Sequence, residues 1–185
     1  MTSKRIRSSS KTGIIPLDIS KKIIEDFVID KKYETCGLFD YNIMLNGEII
    51  INNFLPEKKN SLRLPGERLY CIYKKYDKII WHTHPDKIYP SLEDILKILK
   101  NEIINFSIIF CKFGYFQLYF YDKIDNITDE LQKHIQDILN EYYFSNTRNG
   151  RDYDEKSIKK LCHKLNYIIN KNSVNMFKIK FYFIS

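Results

Sequence analysis

Hydrophobic residues recur three and four positions apart in five stretches of the chain, a spacing that predicts amphipathic helices. The predicted helices cover residues 18–28, 65–76, 91–100, 127–143 and 154–170. Asp18, after Pro16, is expected to cap the first helix, and Pro65 is expected to begin the second. The first helix would bury Ile19, Ile23, Ile24, Phe27 and Val28, and the last would bury Ile158, Leu161, Cys162, Leu165 and Ile168.

Short apolar or alternating runs between these helices predict strands. They cover residues 33–39, 42–45, 48–51, 78–81, 106–111, 115–121 and 176–184. Asn46-Gly47 is typical of a type I′ turn and predicts a β-hairpin, and Gly114 is expected to lie in a second tight turn. Helices and strands in this order predict an α+β fold, in which helices flank a mixed, mainly antiparallel sheet.

The pattern divides the chain into three parts, with no linker long enough to separate two domains. Residues 1–13 are rich in serine, lysine and arginine and are expected to form a flexible basic arm, either a solvated tail or a tag for localisation or nucleic acid. Residues 14–125 would form the core. Residues 126–185 would add two helices and a closing strand packed on that core.

Composition supports a folded protein. The chain has 185 residues, of which 44% are hydrophobic, enough for one domain with a sizeable core. Its formal net charge of +7 would suit an acidic partner, but the lysines are spread along the chain. Helix-turn-helix, zinc-knuckle and RNA-recognition signatures are absent from the sequence, so we expect no specific nucleic-acid partner.

The cysteines and the apolar runs bear on the compartment. Cys36, Cys71, Cys111 and Cys162 form no CxxC pair, which favours small core residues in a reducing compartment. The sequence has no apolar run long enough for a membrane helix and no secretory signal. We therefore expect an intracellular protein, cytoplasmic or nuclear, with no membrane partner.

Residues 82–94 carry the strongest candidate chemistry. Side chains two apart on a strand point to the same face, so His82 and His84 should project together before Pro85 ends the strand. Ser91 would begin a helix whose first turn brings Asp94 back towards the imidazoles. Two nitrogens and one carboxylate predict a three-ligand zinc site with one open position, as in catalytic zinc sites.

A structural interpretation of the same residues stays open. Ser91 and Asp94 are spaced nearly as in a capping box, in which Asp94 would only return a hydrogen bond to the start of the helix. His82 and His84 would then be ordinary half-buried strand residues.

Glu34 is the candidate general base. Hydrolysis at a metal site needs a group that takes a proton from water and passes it to the leaving nitrogen, and a glutamate held on another element can do so. Glu34 precedes the sequence Thr-Cys-Gly-Leu at the start of a predicted core strand. The alternative is an exposed glutamate at a strand edge.

Together these residues resemble the JAMM, or MPN-plus, metalloprotease family. The likeness covers residues 15–121 and rests on Glu34 before Cys36-Gly37-Leu38, His82-Thr83-His84-Pro85, and Ser91-Leu92-Glu93-Asp94. The sequence departs from the family pattern in two ways. The loop between His84 and Ser91 is one residue shorter than is usual, and Trp81 stands directly before His82, whereas the family's tryptophan commonly lies two positions earlier.

The resemblance implies a fold, a cofactor and a reaction. The fold would be the MPN fold, with cytidine-deaminase-like layering of sheet and helices. His82, His84 and Asp94 would bind one Zn²⁺, Glu34 would be the general base, and Ser91 would stabilise the oxyanion. The activity would be isopeptide cleavage that releases ubiquitin or a ubiquitin-like protein from conjugates. A non-catalytic MPN scaffold within a protein complex is the alternative, although members of that kind lose the ligands retained here.

Overall fold

The computed structural model describes residues 13–43, 49–56, 79–100, 106–120, 124, 126–147, 154–172 and 177–184. The strands in these ranges are β1 (Gly13–Ile14), β2 (Cys36–Ile43), β3 (Ile49–Pro56), β4 (Ile79–Thr83), β5 (Phe106–Cys111), β6 (Gly114–Phe120) and β7 (Phe177–Phe183). The helices are α1 (Leu17–Phe27), α2 (Leu92–Lys100), α3 (Asp129–Thr147) and α4 (Glu155–Asn172). None of the helices in the described part of the chain is both long and apolar enough to cross a membrane.

The described strands form one mixed sheet in the order β1-β3-β2-β4-β5-β6-β7. The pairs β1/β3 and β4/β5 are parallel, and the other neighbouring pairs are antiparallel. The predicted α+β class, with a mixed and mainly antiparallel sheet, is confirmed. Strand β4 lies at the centre of the order, between β2 and β5, so both of its edges are hydrogen-bonded.

One face of the sheet packs against α1. Ile23, Ile24 and Val28 are buried there, as their helical spacing predicts. Trp81 of β4 is fully buried in this layer, with its ring centroid 6.0 Å from that of Phe39 and 6.1 Å from that of Phe110. This aromatic group lies on the face of β4 opposite to that of His82, because neighbouring strand residues alternate between faces.

The other face packs against α2, α3 and α4. Cys111 of β5 and Cys162 of α4 are buried there as free thiols, and burial raises the pKa of each to about 12. Cys36 is also buried and free, so the prediction that the cysteines are core residues is confirmed for these three, while Cys71 lies outside the described residues. Strand β7 pairs with β6, so the last third of the chain shares both this core and the sheet.

Several element boundaries differ from the predicted ones. The N-cap of α1 is Pro16, with no side-chain capping bond, so the predicted cap at Asp18 is wrong. Asp18 lies in the first helical turn, where a carboxylate still interacts favourably with the helix dipole. Proline at this position presets the backbone φ angle, which is −53° here, so that the chain turns into the helix without a polar cap.

The strands predicted at 33–39 and 42–45 are a single strand, β2, that begins only at Cys36. A register shift between Phe39 and Asp40 lets the strand continue past the polar residues that suggested a break. Ile43 pairs with Ile49 in antiparallel register, which confirms the hairpin. Residues 44–48, with the predicted Asn46-Gly47 turn, lie outside the described residues.

The turn between β5 and β6 consists of residues 112 and 113, so Gly114 opens β6 instead of lying in the turn. A Cβ atom at Gly114 would lie 2.0 Å from the backbone oxygen of Tyr182 in β7, so only glycine allows this close approach.

The basic arm up to residue 12 and the predicted helix at 65–76 lie outside the described residues.

Candidate metal centre

The two histidines are fixed by the backbone of the central strand. His82 lies in β4 opposite Cys36 of β2 and beside Ile109 of β5. His84 follows the strand, but its backbone N–H still donates to the Phe110 oxygen at 2.7 Å. The two side chains therefore project from the same face, as their spacing predicts, and their Nε2 atoms are 3.1 Å apart.

Asp94, in the first turn of α2, faces both imidazoles. Its Oδ1 lies 3.2 Å from His82 Nε2, and its Oδ2 lies 3.3 Å from His84 Nε2. The three side chains are almost completely shielded from solvent. One ligand atom from each residue falls within 4.8 Å of the others, so this group could hold a metal ion.

The other ring nitrogen of His84 is bound to the backbone. His84 Nδ1 lies 2.9 Å from the Tyr89 carbonyl oxygen, which can only accept a hydrogen bond. Nδ1 must therefore carry the proton in this bond, which in the neutral ring leaves the lone pair on Nε2, facing Asp94 and His82. A backbone carbonyl that fixes the tautomer in this way is common behind metal-binding histidines.

Ser91 and Asp94 also form a capping box at the start of α2. The Asp94 N–H donates to Ser91 Oγ at 3.1 Å, and Asp94 Oδ2 accepts from the Ser91 N–H at 2.8 Å and from the Ser91 hydroxyl at 2.6 Å. The capping interpretation of these residues is therefore correct, but it does not exclude the metal interpretation. The same carboxylate caps the helix and faces the two histidines.

The carboxylate and the imidazoles influence each other electrostatically. Burial tends to raise the pKa of Asp94, but the charges and hydrogen bonds of His82 and His84 outweigh it and hold that pKa well below its ordinary value. Burial tends to lower the pKa of His84, whereas the hydrogen bond and charge of Asp94 and the charge of Glu34 raise it overall. Asp94 therefore keeps its negative charge at neutral pH, as a metal ligand must.

Glu34 approaches the same centre from the other side. It lies two residues before β2, and its Oε1 is 3.7 Å from His84 Nε2. The adjacent Thr35 is held to Thr83 by two bonds of 2.8 Å, from the Thr83 N–H to the Thr35 oxygen and from the Thr35 N–H to Thr83 Oγ1. With 39% of its side chain exposed, Glu34 reaches both solvent and the centre.

These side chains lie in a cleft of about 490 Å³. The start of β2 forms one wall and α2 forms another. Lys87 also lines the cleft, as do Lys97 and Glu93, which form an ion pair of 3.0 Å. Helix α3 also lines the cleft, through Gln136, Leu139 and Asn140.

No protein-family model matches the chain, and no curated protein matches it either.

The sequence predicted the candidate ligands but missed the wall that α3 supplies. His82, His84, Ser91, Asp94 and Glu34 all lie in the cleft. Gln136 and Asn140 are four residues apart on the polar side of α3, and their side chains are hydrogen-bonded at 2.8 Å. That spacing is visible in the sequence, but the element they face depends on how α3 packs. His134 and His163 are exposed on α3 and α4, away from the cleft-lining residues.

Proposed function

We propose that this chain is a zinc-dependent isopeptidase of the JAMM type, built on an MPN fold, that cleaves ubiquitin or a ubiquitin-like protein from conjugates. The observation that carries the proposal is the position of the Asp94 carboxylate, whose oxygens lie 3.2 and 3.3 Å from the Nε2 atoms of His82 and His84. Glu34 beside this group supplies the acid–base side chain that amide hydrolysis needs.

The donor atoms, two imidazole nitrogens and a carboxylate oxygen, favour zinc as the ion. Zinc binds imidazole nitrogen and carboxylate oxygen at about 2.0–2.1 Å in tetrahedral geometry, which places neighbouring ligand atoms about 3.3 Å apart. The two Nε2 atoms are 3.1 Å apart, and each lies close to one oxygen of Asp94, at 3.2 Å from Oδ1 for His82 and 3.3 Å from Oδ2 for His84. With one ligand atom taken from each residue, the three atoms fall within 4.8 Å of one another. Two histidines and one carboxylate leave the fourth tetrahedral position open, the arrangement of a catalytic zinc site.

The reaction is hydrolysis of an amide bond. When bound, zinc polarises the scissile carbonyl and makes water a competent nucleophile near neutral pH. Glu34 takes a proton from the attacking water, whose oxygen bonds to the carbonyl carbon. As the carbon–nitrogen bond breaks, Glu34 passes that proton to the leaving amine. The exposed side chain of Glu34 suits this role because it can reach the open side of the centre.

Ser91 is proposed to stabilise the oxyanion, as the family resemblance implies. Its hydroxyl donates to Asp94 Oδ2 at 2.6 Å and must turn away from that carboxylate to donate to substrate. The backbone N–H of Ser91 donates to the same oxygen and would preserve the cap after such a turn.

The cleft favours an extended substrate. About 490 Å³ between β2, α2 and α3 admits a strand-like peptide tail but excludes a folded domain. The flexible C-terminal tail of ubiquitin or of a ubiquitin-like protein has this form, and its bond to a lysine side chain would lie over the metal group. The choice of ubiquitin rests on the family resemblance.

The alternative is a scaffold without catalysis. The capping box supports it, because the Ser91 hydrogen bonds satisfy Asp94 Oδ2 without any metal. In that case, the purified protein would bind no zinc and hydrolyse nothing.

Glu34→Gln tests the proposal. The substitution removes the proton acceptor but leaves the three ligands intact, so we expect a full equivalent of zinc and a loss of hydrolysis of about 10²–10⁴-fold. The assay is cleavage of a panel of diubiquitins and of ubiquitin-like conjugates, each with and without a chelator. Glu25→Gln, at an exposed position on α1, is the matched control and should behave as wild type.

Two results would contradict the proposal. One is a Glu34→Gln variant that is as active as wild type. The other is a zinc-loaded wild type that cleaves none of the conjugates in the panel.

A further inference from the structure

Tyr89 connects the candidate metal centre to α3. Its carbonyl oxygen accepts the hydrogen bond from His84 Nδ1 at 2.9 Å. Its ring packs against two tyrosines near the end of α3, with centroids 5.8 Å from Tyr142 and 6.2 Å from Tyr143. The backbone of Tyr89 thus contacts a candidate ligand, while its side chain contacts a helix that lies about 50 residues later in the sequence.

The segment that carries Tyr89 has no regular structure. Residues 84–91, between β4 and α2, lie outside any helix or strand. Backbone hydrogen bonds of a strand or helix therefore do not fix the direction of the Tyr89 carbonyl, and the packing of the Tyr89 side chain helps to fix it. Ile88 is buried in the core beside it, and the half-buried Tyr89 packs against the same core.

Helix α3 is anchored in the core and supports this packing. Leu131, Ile135, Leu139 and Tyr142 are buried along one side of the helix. The ring planes of Tyr89 and Tyr142 are inclined by 74°, and those of Tyr89 and Tyr143 by 59°, the tilted and edge-to-face arrangements that aromatic pairs prefer. Moving Tyr89 would break both contacts.

We propose that Tyr89 is a positioning residue, clamped by Tyr142 and Tyr143, whose carbonyl holds His84 in the tautomer and orientation required of a metal ligand. The inference rests on the metal-binding part of the proposed function. It makes α3, which lies beyond the stretch that resembles a metalloprotease, a working part of the centre. A loop one residue short can keep its geometry if an outside element holds it in place.

The test compares substitutions that remove a ring with substitutions that keep it. Tyr143→Ala removes one of the two rings that pack against Tyr89, and Tyr89→Ala removes the Tyr89 ring itself. Tyr143→Phe and Tyr89→Phe keep both rings, and no substitution at these positions removes the Tyr89 carbonyl. Tyr143 has an exposed fraction of 42%, so its loss should leave the core intact. Tyr167→Ala, at an exposed position on α4, is the control.

Two readouts are needed. The zinc dissociation constant, measured by competition with a chelator, should rise about 10–100-fold in both alanine variants, as for other groups that orient metal-binding histidines. It should stay within about twofold of wild type in both phenylalanine variants and in Tyr167→Ala. NMR of the metal-free protein, at a pH high enough that His84 is neutral, should show His84 as the Nδ1–H tautomer in wild type, with this preference weakened in Tyr143→Ala.

The outcomes separate this inference from the proposed function. A wild type that binds no zinc overturns both. A wild type that binds zinc, together with alanine variants that bind it equally well, overturns the clamp alone. Alanine variants that melt earlier without zinc but keep wild-type affinity and tautomer would show that the contacts only stabilise the fold, which also overturns it.

Discussion

Asp94 combines a structural role, the cap of α2, with the position of a candidate metal ligand. Its Oδ2 accepts two hydrogens from Ser91, while its Oδ1 lies 3.2 Å from His82. The capping bonds fix the rotamer of the carboxylate before any ligand arrives. Such preorganisation is what a metal site requires, because a carboxylate that is already held loses little conformational entropy on binding.

Thr83, between the two histidines, points to the opposite face of the strand and performs a different task. Its Oγ1 accepts the Thr35 N–H at 2.8 Å, and both residues are buried. Since Glu34 directly precedes Thr35, this bond helps to place the candidate base beside the imidazoles. Thr83 is therefore expected to matter for catalysis without touching the metal.

Thr83→Val tests this expectation. Valine keeps the shape but leaves the buried Thr35 N–H without its acceptor, which should lower the free energy of unfolding by about 1–3 kcal/mol. Zinc affinity should stay near wild type, whereas hydrolysis should fall because Glu34 is displaced. Urea denaturation, chelator competition and the diubiquitin assay measure these effects.

The control for this change is Thr83→Ser, which keeps the hydroxyl and should retain most of the stability and activity. If Thr83→Val is as stable and as active as wild type, the bond to Thr35 has no positioning role.

At the scale of elements, α4 protects the outer edge of β7. Two asparagines of the helix bind the strand as a neighbouring strand would. Asn166 donates to the Ile179 oxygen at 3.0 Å and accepts its N–H at 2.8 Å. Asn170 makes the same pair of bonds with Phe177, at 2.8 and 2.7 Å. These amides satisfy backbone groups that would otherwise be open to pairing with another chain.

Asn166→Ala and Asn170→Ala should each destabilise the protein, by about 1–3 kcal/mol, because each leaves a donor and an acceptor of the strand without partners. The effect is measured by urea denaturation of the metal-free protein. Asn172→Ala is the control, since Asn172 is exposed and its side chain donates to the Ile168 oxygen of its own helix, not to β7 residues 177–183 as the structure describes them. A loss in either variant no larger than in the control would contradict this role.

Local signals predicted most of the elements but not the contacts between them. The spacing of the histidines placed them on one face because strand alternation is a local property, and Ser91 and Asp94 were found because helix starts have a local signature. The Tyr89 carbonyl, the bond from Thr35 to Thr83 and the amides of Asn166 and Asn170 join residues through backbone groups. A backbone group has no residue-specific signature in the sequence.

At the scale of the whole molecule, the final third of the chain contributes to the sheet and to the cleft. From sequence, residues 126–185 were expected only to pack on a core that carries the chemistry. In the structure, β7 extends the sheet, and α3 both lines the cleft and packs against Tyr89. Which side of the sheet each helix covers is decided by the whole set of buried contacts, so the pattern of any one helix could not predict it.

The proposed function requires that Asp94 closes a metal site with His82 and His84, and the zinc content of purified protein tests this most directly. Asp94→Asn can still accept the Ser91 hydrogen bonds but lacks the charge of a good ligand. Asp26→Asn, at an exposed position on α1, makes the same chemical change away from the site.

Elemental analysis after gel filtration should find one zinc per chain in wild type and in Asp26→Asn, and much less in Asp94→Asn. A wild type without stoichiometric zinc, or an Asp94→Asn variant that keeps a full equivalent, would contradict the account.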